Sequence, residues 1–177
     1  MIVKFIKNDY NRGENSIPTN RNWAGICWSP ELGIFCATAN NSGAVVMTSP
    51  DGINWTEHAI PNARGWYNVC WSSELGIFCS VNINDAFVMT SPDGITWTER
   101  AIPHNYAWSY ICWSSELRLF CALNDYSAAV IMTSPDGITW TERAIPAIRA
   151  FKSFCWSPEL GIFCSVSSNN ASALISI

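Results

Sequence analysis

Three aspartates in the chain, Asp51, Asp93 and Asp136, are residues that could bind a cation or act as acids, and all three stand in one repeated phrase. "TSPDGITWTERAIP" runs from Thr90 to Pro103 and again from Thr133 to Pro146, with the near copy "TSPDGINWTEHAIP" from Thr48 to Pro61. Each aspartate follows a serine by two positions and precedes a glycine. That placement also suits a local duty, in which the carboxylate accepts hydrogen bonds from its own turn. One aspartate per complete phrase favours this structural role, and the spacing nominates no metal site. The eight cysteines form four pairs nine residues apart: Cys27/Cys36, Cys70/Cys79, Cys112/Cys121 and Cys155/Cys164. Three readings stand open: small apolar core residues, cross-strand disulfides, or metal ligands. The spacing is no zinc signature, because it contains no Cys-x-x-Cys and no neighbouring histidine.

Catalytic sets are sparse. The two histidines, His58 and His104, lie in different contexts, and no Ser-His-Asp or Cys-His arrangement follows from spacing. Acids fixed by the repeat are Glu31, Glu74, Glu116, Glu159, Glu57, Glu99, Glu142 and the three aspartates. Setting those aside leaves Asp9, Glu14, Asp85 and Asp125, a poor supply for a glycosidase needing two inward carboxylates. The chain is therefore expected not to be an enzyme and to need no cofactor. The pairs Glu99/Arg100 and Glu142/Arg143 are expected to be solvated on an outer strand.

Composition narrows the classes further. The chain of 177 residues is 49% apolar with ten Trp, enough for a packed core. A formal net charge of −4 argues against nucleic acid, which needs a basic face. No apolar run approaches the roughly 18 residues that span a bilayer. The opening "MIVKFIKNDY" is too quickly polar for a secretory signal. The expected location is a virion or the extracellular space reached by a signal-free route, or otherwise the cytoplasm.

What must position these residues is a repeat. "CWSPELGIFC" at Cys27 returns as "CWSSELGIFC" at Cys70, "CWSSELRLFC" at Cys112 and "CWSPELGIFC" at Cys155, at spacings of 43, 42 and 43 residues. Each unit reads as four short strands, as in "WYNVCW", "GIFCSV", "AFVMTS" and "TWTERAI". Ser-Pro-Asp-Gly between the third and fourth strands reads as a type I turn with a glycine bulge, and "SPELG" between the first and second is similar. The third copy has Arg118 where the others have glycine. In a tight hairpin Cys27 falls opposite Cys36 on one face and Trp28 opposite Phe35 on the other, and both faces should be core. The recurring Trp28, Trp71, Trp113, Trp156 and Trp55, Trp97, Trp140 then read as packing residues.

Four antiparallel strands repeated at this period predict an all-β fold, a four-bladed β-propeller forming a single domain over 1–177. The blades are expected at 23–61, 66–103, 108–146 and 151–177 plus 1–18. The N-terminal strand Ile2–Ile6 is expected to pair with the last blade and close the ring, with Lys4 and Lys7 on the outer edge.

"TSPDGITW" resembles the Asp-box repeat, Ser-x-Asp-x-Gly-x-Thr-Trp, with Ser91, Asp93, Gly94, Thr96 and Trp97 in place and one residue fewer between Asp and Trp than in the commonest form. The longer pattern, "WSPELGIF" followed by "MTSPDGITWT", is similar to repeats in phage, giant-virus and bacterial propeller proteins. The resemblance covers about nine tenths of the chain and implies the propeller fold. It says little about function, because Asp-boxes occur in sialidases, other glycosidases, lectin-like domains and assembly factors.

Comparison of the units with one another localises function. The one–two and three–four turns share one propeller face and are nearly invariant. The two–three and four–one loops share the other and diverge, as loop-borne recognition would produce. The candidate binding residues are Asn40, Asn41, Arg64, Asn82, Asn84, Asp85, His104, Asn105, Tyr106, Asn124, Asp125, Tyr126, Asn169 and Asn170. The function expected is a non-enzymatic binding or structural module, such as a virion or phage decoration, fibre or adhesin protein that recognises a protein partner in an assembly. The alternative is a lectin for cell-surface glycans, and a glycosidase is disfavoured. Four blades are few for a propeller, so a homo-oligomer in which two chains join is a further option.

Overall fold

The structure is a computed structural model, and it describes residues 16–40, 43–125, 128–148, 150–168 and 172–176. The expected closing strand at Ile2–Ile6 lies outside the described residues. The chain is an all-β, four-bladed β-propeller. Its first blade is β1 (Trp23–Ser29), β2 (Ile34–Ala39), β3 (Val45–Ser49) and β4 (Thr56–Ala59). The second is β5 (Trp66–Ser72), β6 (Ile77–Asn82), β7 (Phe87–Ser91) and β8 (Thr98–Ala101). The third is β9 (Trp108–Ser114), β10 (Leu119–Asn124), β11 (Val130–Ser134) and β12 (Thr141–Ala144). The fourth shows three strands among the described residues, β13 (Phe151–Ser157), β14 (Ile162–Ser167) and β15 (Ala173–Ser176). Within every blade the strands pair antiparallel in chain order.

Register follows from the hairpin. Cys27 faces Cys36 and Trp28 faces Phe35 across β1 and β2, and the same pairs recur in the other three blades. Because side chains alternate along a strand, each blade carries a thiol side and an aromatic side. The eight cysteines are free thiols. They serve as small apolar groups, with Cys36, Cys79 and Cys121 fully buried.

The innermost strands β1, β5, β9 and β13 pack in series. Between the first and second blades, Cys36, Val46 and Ile60 meet Trp66, Val69, Phe78, Met89 and Trp97. Between the second and third, Cys79, Val81, Val88 and Ile102 meet Trp108, Ile111, Phe120, Met132 and Trp140. Cys121, Leu123 and Ile131 receive Phe151 and Phe163 at the third junction. No comparable packing joins the fourth blade to the first among the described residues. The expectation that both faces of every blade are buried therefore fails at the two ends. Trp28 is 41% exposed and Cys155 lies open, because each lacks the neighbour that covers its counterparts.

The repeated phrase builds its turn as its residue types dictate. Asp93 accepts backbone N–H bonds from Ile95 and Thr96 at 2.8 and 2.7 Å and a bond from the Ser91 hydroxyl at 2.9 Å. Asp51 and Asp136 do the same. Trp97, 5% exposed, closes the turn by donating its indole N–H to Gly94. Gly94 has a φ of +74°, and a Cβ there would lie 3.1 Å from Thr48 and 3.3 Å from Ile34 of the preceding blade. Gly52 has a similar φ, but a Cβ there would meet only Phe35, at 3.6 Å. Arg118 adopts a φ of 52° in place of the glycine found in the other one–two turns.

Two outcomes are expected. Both Gly94→Ala and Gly52→Ala incur left-handed strain of about 1–2 kcal/mol, and Gly94→Ala costs about 1 kcal/mol more because it also crowds the neighbouring blade; urea denaturation in dilute solution measures the difference. Partial burial tends to raise the Asp93 carboxyl, but the Thr96 and Ile95 N–H groups and the Ser91 hydroxyl outweigh it and hold the group below the usual carboxylate range. Its contribution is thus present above the unfolded value of about 3.9 and lost as pH falls through the folded value. Asp93→Asn should cost about 1 kcal/mol at neutral pH, and the gap from the unaltered chain should close below about pH 4 in thermal denaturation across pH.

Candidate binding face

The four–one and two–three loops meet, as the hairpin alternation requires. Asn40 takes a backbone bond from its own N–H to Asn22, Ile83 to Gly65, Asp125 to Ala107 and Ser168 to Ala150. One loop of each kind is thereby tied together at the rim of every blade. The constant turns lie at the opposite end. The invariant and varied parts of the repeat therefore occupy separate surfaces.

Several of the candidate residues hold this surface together. Asn82, fully buried, accepts backbone bonds from Asn84 at 2.9 Å and Asp85 at 2.6 Å while its amide reaches the Phe87 carbonyl. Asn124 does the same work in the third blade, through the Val130 carbonyl and the Ala128 N–H. Arg64 bonds Glu99 through Nε at 2.9 Å and Asp85 through Nη1 at 2.7 Å, and its guanidinium lies 4.3 Å over the Phe87 ring. Arg21 bonds Glu57 at 3.1 Å, and His104 bonds Glu142 at 2.8 Å. The glutamates of the outer strands are therefore not simply solvated, as the sequence suggested. Glu99 is 13% exposed and anchors the loop that leads into its own blade. This role was hidden because the glutamate is repeated while its partner changes between Arg21, Arg64 and His104.

Other candidates present themselves outward. The His104 ring stacks on Tyr106 at 5.3 Å, and Asn105 donates to the Asn84 carbonyl across to the second blade. Lys152 of β13 pairs with Asp125 of the third blade, which raises the lysine's pKa. Asn40 sits beside Gly65 in an isolated bridge. Asn41, Tyr126, Asn169 and Asn170 lie outside the described residues.

The candidate set drawn from loops missed the residues nearest the axis. In β1, β5 and β9 the pairing is irregular just after the first aromatic residue, at Ala24, Tyr67 and Ser109, a bulge of the kind that re-aims side chains at the rims of β structures, and in β13 the irregularity falls one residue later, after Lys152. The two positions there read Ala24-Gly25, Tyr67-Asn68, Ser109-Tyr110 and Lys152-Ser153, within strands otherwise copied from blade to blade. That variation inside a constant strand was the signal available in the sequence. Tyr67 and Tyr110, both half-buried, meet edge to face at 6.4 Å. Burial, the largest influence, raises the Tyr110 phenol, so it stays a neutral hydrogen-bonding group. Gly25 is required where the first two blades approach: a Cβ there would lie 2.7 Å from the Asn68 Cα.

Chemically this surface offers two aromatic rings, amides, and cations held by carboxylates. The described residues hold no group of three or more His, Cys, Asp or Glu placed for a metal ion. Burial pushes the Cys27 and Cys112 thiols up to about 12, which keeps them protonated and poorly nucleophilic at neutral pH.

No protein-family model and no curated protein sequence matches the chain. Solved structures do. Virginiamycin B lyase from Staphylococcus aureus is 14% identical, with a TM-score of 0.73 over 90% of this chain and 57% of its own. YCF48 from Cyanidioschyzon merolae is 13% identical, with a TM-score of 0.69 over 92% of this chain and 55% of its own, and a YCF48 structure is also known bound to a D1 peptide. The β-propeller domain of Cps50 (Swd1) from Myceliophteria thermophila is 8% identical, with a TM-score of 0.63 over 86% of this chain and 50% of its own. The likeness is one of fold, and the chain spans only a little over half the length of the lyase and YCF48 chains.

Arg64→Met should strand two carboxylates and loosen both loops it joins. A loss of about 1–3 kcal/mol is expected, together with faster amide exchange at 62–65 and 82–86 than elsewhere in the second blade.

Proposed function

We propose that the chain is a non-enzymatic scaffold that binds a protein partner at the axial end of its variable face, around Tyr67, Asn68, Tyr110 and Lys152. The observation that carries this reading is the concentration of inter-blade differences at the second and third positions of the four innermost strands, at or beside their bulges, where copied blades would otherwise present identical side chains. Tyrosine pairs supply rigid contact area with a polar tip, the kind of group that dominates protein recognition energetics. The amides beside them suit the backbone of an exposed segment. Among the described residues, the cations of this face, Arg21, Arg64 and Lys152, are each neutralised by a carboxylate, so they offer a phosphate-rich ligand little net attraction.

Two further supports come from outside the site. Among propellers of similar fold, YCF48 holds a peptide. The likeness of the repeats to those of phage and giant-virus propellers supports a place in an assembled particle. Against a catalytic role stands the burial that keeps the Cys27 and Cys112 thiols protonated; the hydroxyl–histidine bond that the described residues do hold, Thr48 Oγ1 to His58 Nε2 at 2.8 Å, lies between β3 and β4 of the first blade and away from this rim.

Selection of a displayed peptide library on the unaltered chain should enrich a peptide class that binds at least tenfold more weakly to Tyr67→Ala and Tyr110→Ala. Binding on a glycan array that depends on the same two tyrosines would transfer the site to sugars. Silence on both, or peptide binding indifferent to both substitutions, would remove the proposal.

A further inference from the structure

The three junctions between blades are made by one rule, and the two ends of the chain's blade series each offer half of it. The indole of Trp71 donates to Glu31 of the preceding blade at 2.6 Å, Trp113 to Glu74 at 2.6 Å and Trp156 to Glu116 at 2.6 Å. Around each bond, the aromatic side of one blade is covered by the thiol side of the blade before it. By this rule Trp28 needs a glutamate from a preceding blade, and Glu159 needs an indole from a following one. Neither is met among the described residues: Trp28 shows no acceptor, and Glu159 takes only the Ser157 hydroxyl at 3.3 Å.

Exposure tells the same story on both faces. Ile26 is 58% exposed, whereas its counterparts Val69 and Ile111 are 3% and 5% exposed. Val166 is 56% exposed, whereas Val81 and Leu123 are fully buried. A shallow groove floored by Gly25 and Ala37 and walled by Trp23, Ile26 and Met47 lies open on the first blade. On the fourth blade, Cys155, Cys164 and Val166 line the facing surface. Apolar side chains laid bare together in this way mark a contact surface.

We propose that these two faces dock on one another between two copies of the chain, head to tail, closing an eight-bladed ring. The occupant is a second copy because the missing partner of each face is a surface this chain already carries, with the same residue types that seat its own inner junctions. The donor left over at one end, the Trp28 indole, matches the acceptor left over at the other, the Glu159 carboxylate. The contact uses different surfaces on the two copies, and such contacts assemble without limit unless rotation closes them; two chains of four blades close it.

Sedimentation velocity of the full chain over a wide concentration series tests this. The unaltered chain should sediment at about twice 19.7 kDa. Ile26→Lys and Val166→Lys place charge on positions exposed in the single chain, and each alone should sediment as a monomer. An equimolar mixture of the two should regain a dimer, because each variant retains the face that the other has lost. In the unaltered dimer, Cys155 should be alkylated several-fold more slowly than in either variant. Should the lysine variants lose their circular dichroism, Trp28→Phe removes only the indole donor and should weaken association about a hundredfold, about tenfold for each of the two junctions of the ring. A monomer at every concentration, association indifferent to these substitutions, a mixture that stays monomeric, or growth into open polymers would each overturn the two-chain ring.

Discussion

The whole architecture depends on the fit of one blade's aromatic side into the thiol side of the blade before it. The interaction has two parts. Burial of Trp, Phe and Met against small thiols and branched aliphatics provides the bulk, at about 1.5–3 kcal/mol for each large side chain fully removed from water. The Trp–Glu hydrogen bond then fixes the angle at which the sheets meet, because a charge-assisted bond of 2.6 Å tolerates little displacement. Cysteine is suited to this junction. It is small enough for an indole to lie close, and it carries no strong polar group that burial would leave unsatisfied. The high folded-state pKa of the Cys27 and Cys112 thiols reflects that burial, desolvation being its leading cause.

A junction made by rule frees the opposite end of the molecule. The one–two and three–four turns are held nearly constant, because Glu31, Glu74, Glu116 and the aspartate-capped turns are parts of the junction. The two–three and four–one loops supply neither the Trp–Glu bond nor the capped turn. They are held by their own local devices: a buried asparagine in the second and third blades, Asn82 and Asn124, and an outer-strand glutamate whose partner changes from Arg21 to Arg64 to His104. Rigidity on the variable face is thus achieved separately in each blade, and its surface can change without loosening the stack. This separation depends on hairpin alternation within each blade and on the blades packing in series.

Much of this was legible in the sequence. The 43-residue period, the nine-residue Cys spacing and the alternation of Cys with Trp yielded the strand count, the register and the two-sided blades, because all three follow from strand geometry that admits one solution. The capped aspartate turn followed from residue chemistry alone. The outer-strand glutamates did not, since Glu99 looks identical to Glu142 until Arg64 and His104 are seen to fold back on them from positions 35 and 38 residues earlier in the chain. Nor were the axial pairs legible as a site. Tyr67 and Lys152 sit inside strands, and the bulges at or next to them are visible only in the pairing register. The open ends of the blade series, seen among the described residues, stood in the sequence only as the option that two chains join: identical repeats imply identical burial, and sequence alone does not show which unit lacks a neighbour.

Identical junctions raise a problem that the axial pairs answer. If every aromatic side fits every thiol side, nothing in the rule distinguishes the proper neighbour from any other blade, and misordered stacking or exchange between chains becomes competitive. Each junction, however, carries its own contact at the axis. The first and second blades meet where Gly25 allows the Asn68 backbone to approach, and a side chain at that glycine would collide. The second and third meet through Tyr67 and Tyr110. The third and fourth meet through Asp125 and Lys152. Exchanging blades would set a tyrosine against a bare lysine, or a bulky residue where only glycine fits. The positions that diverge between blades thus specify the order of the blades as well as the chemistry displayed at the rim. Substitution there acts on the order of assembly, and on the proposed recognition at the same positions.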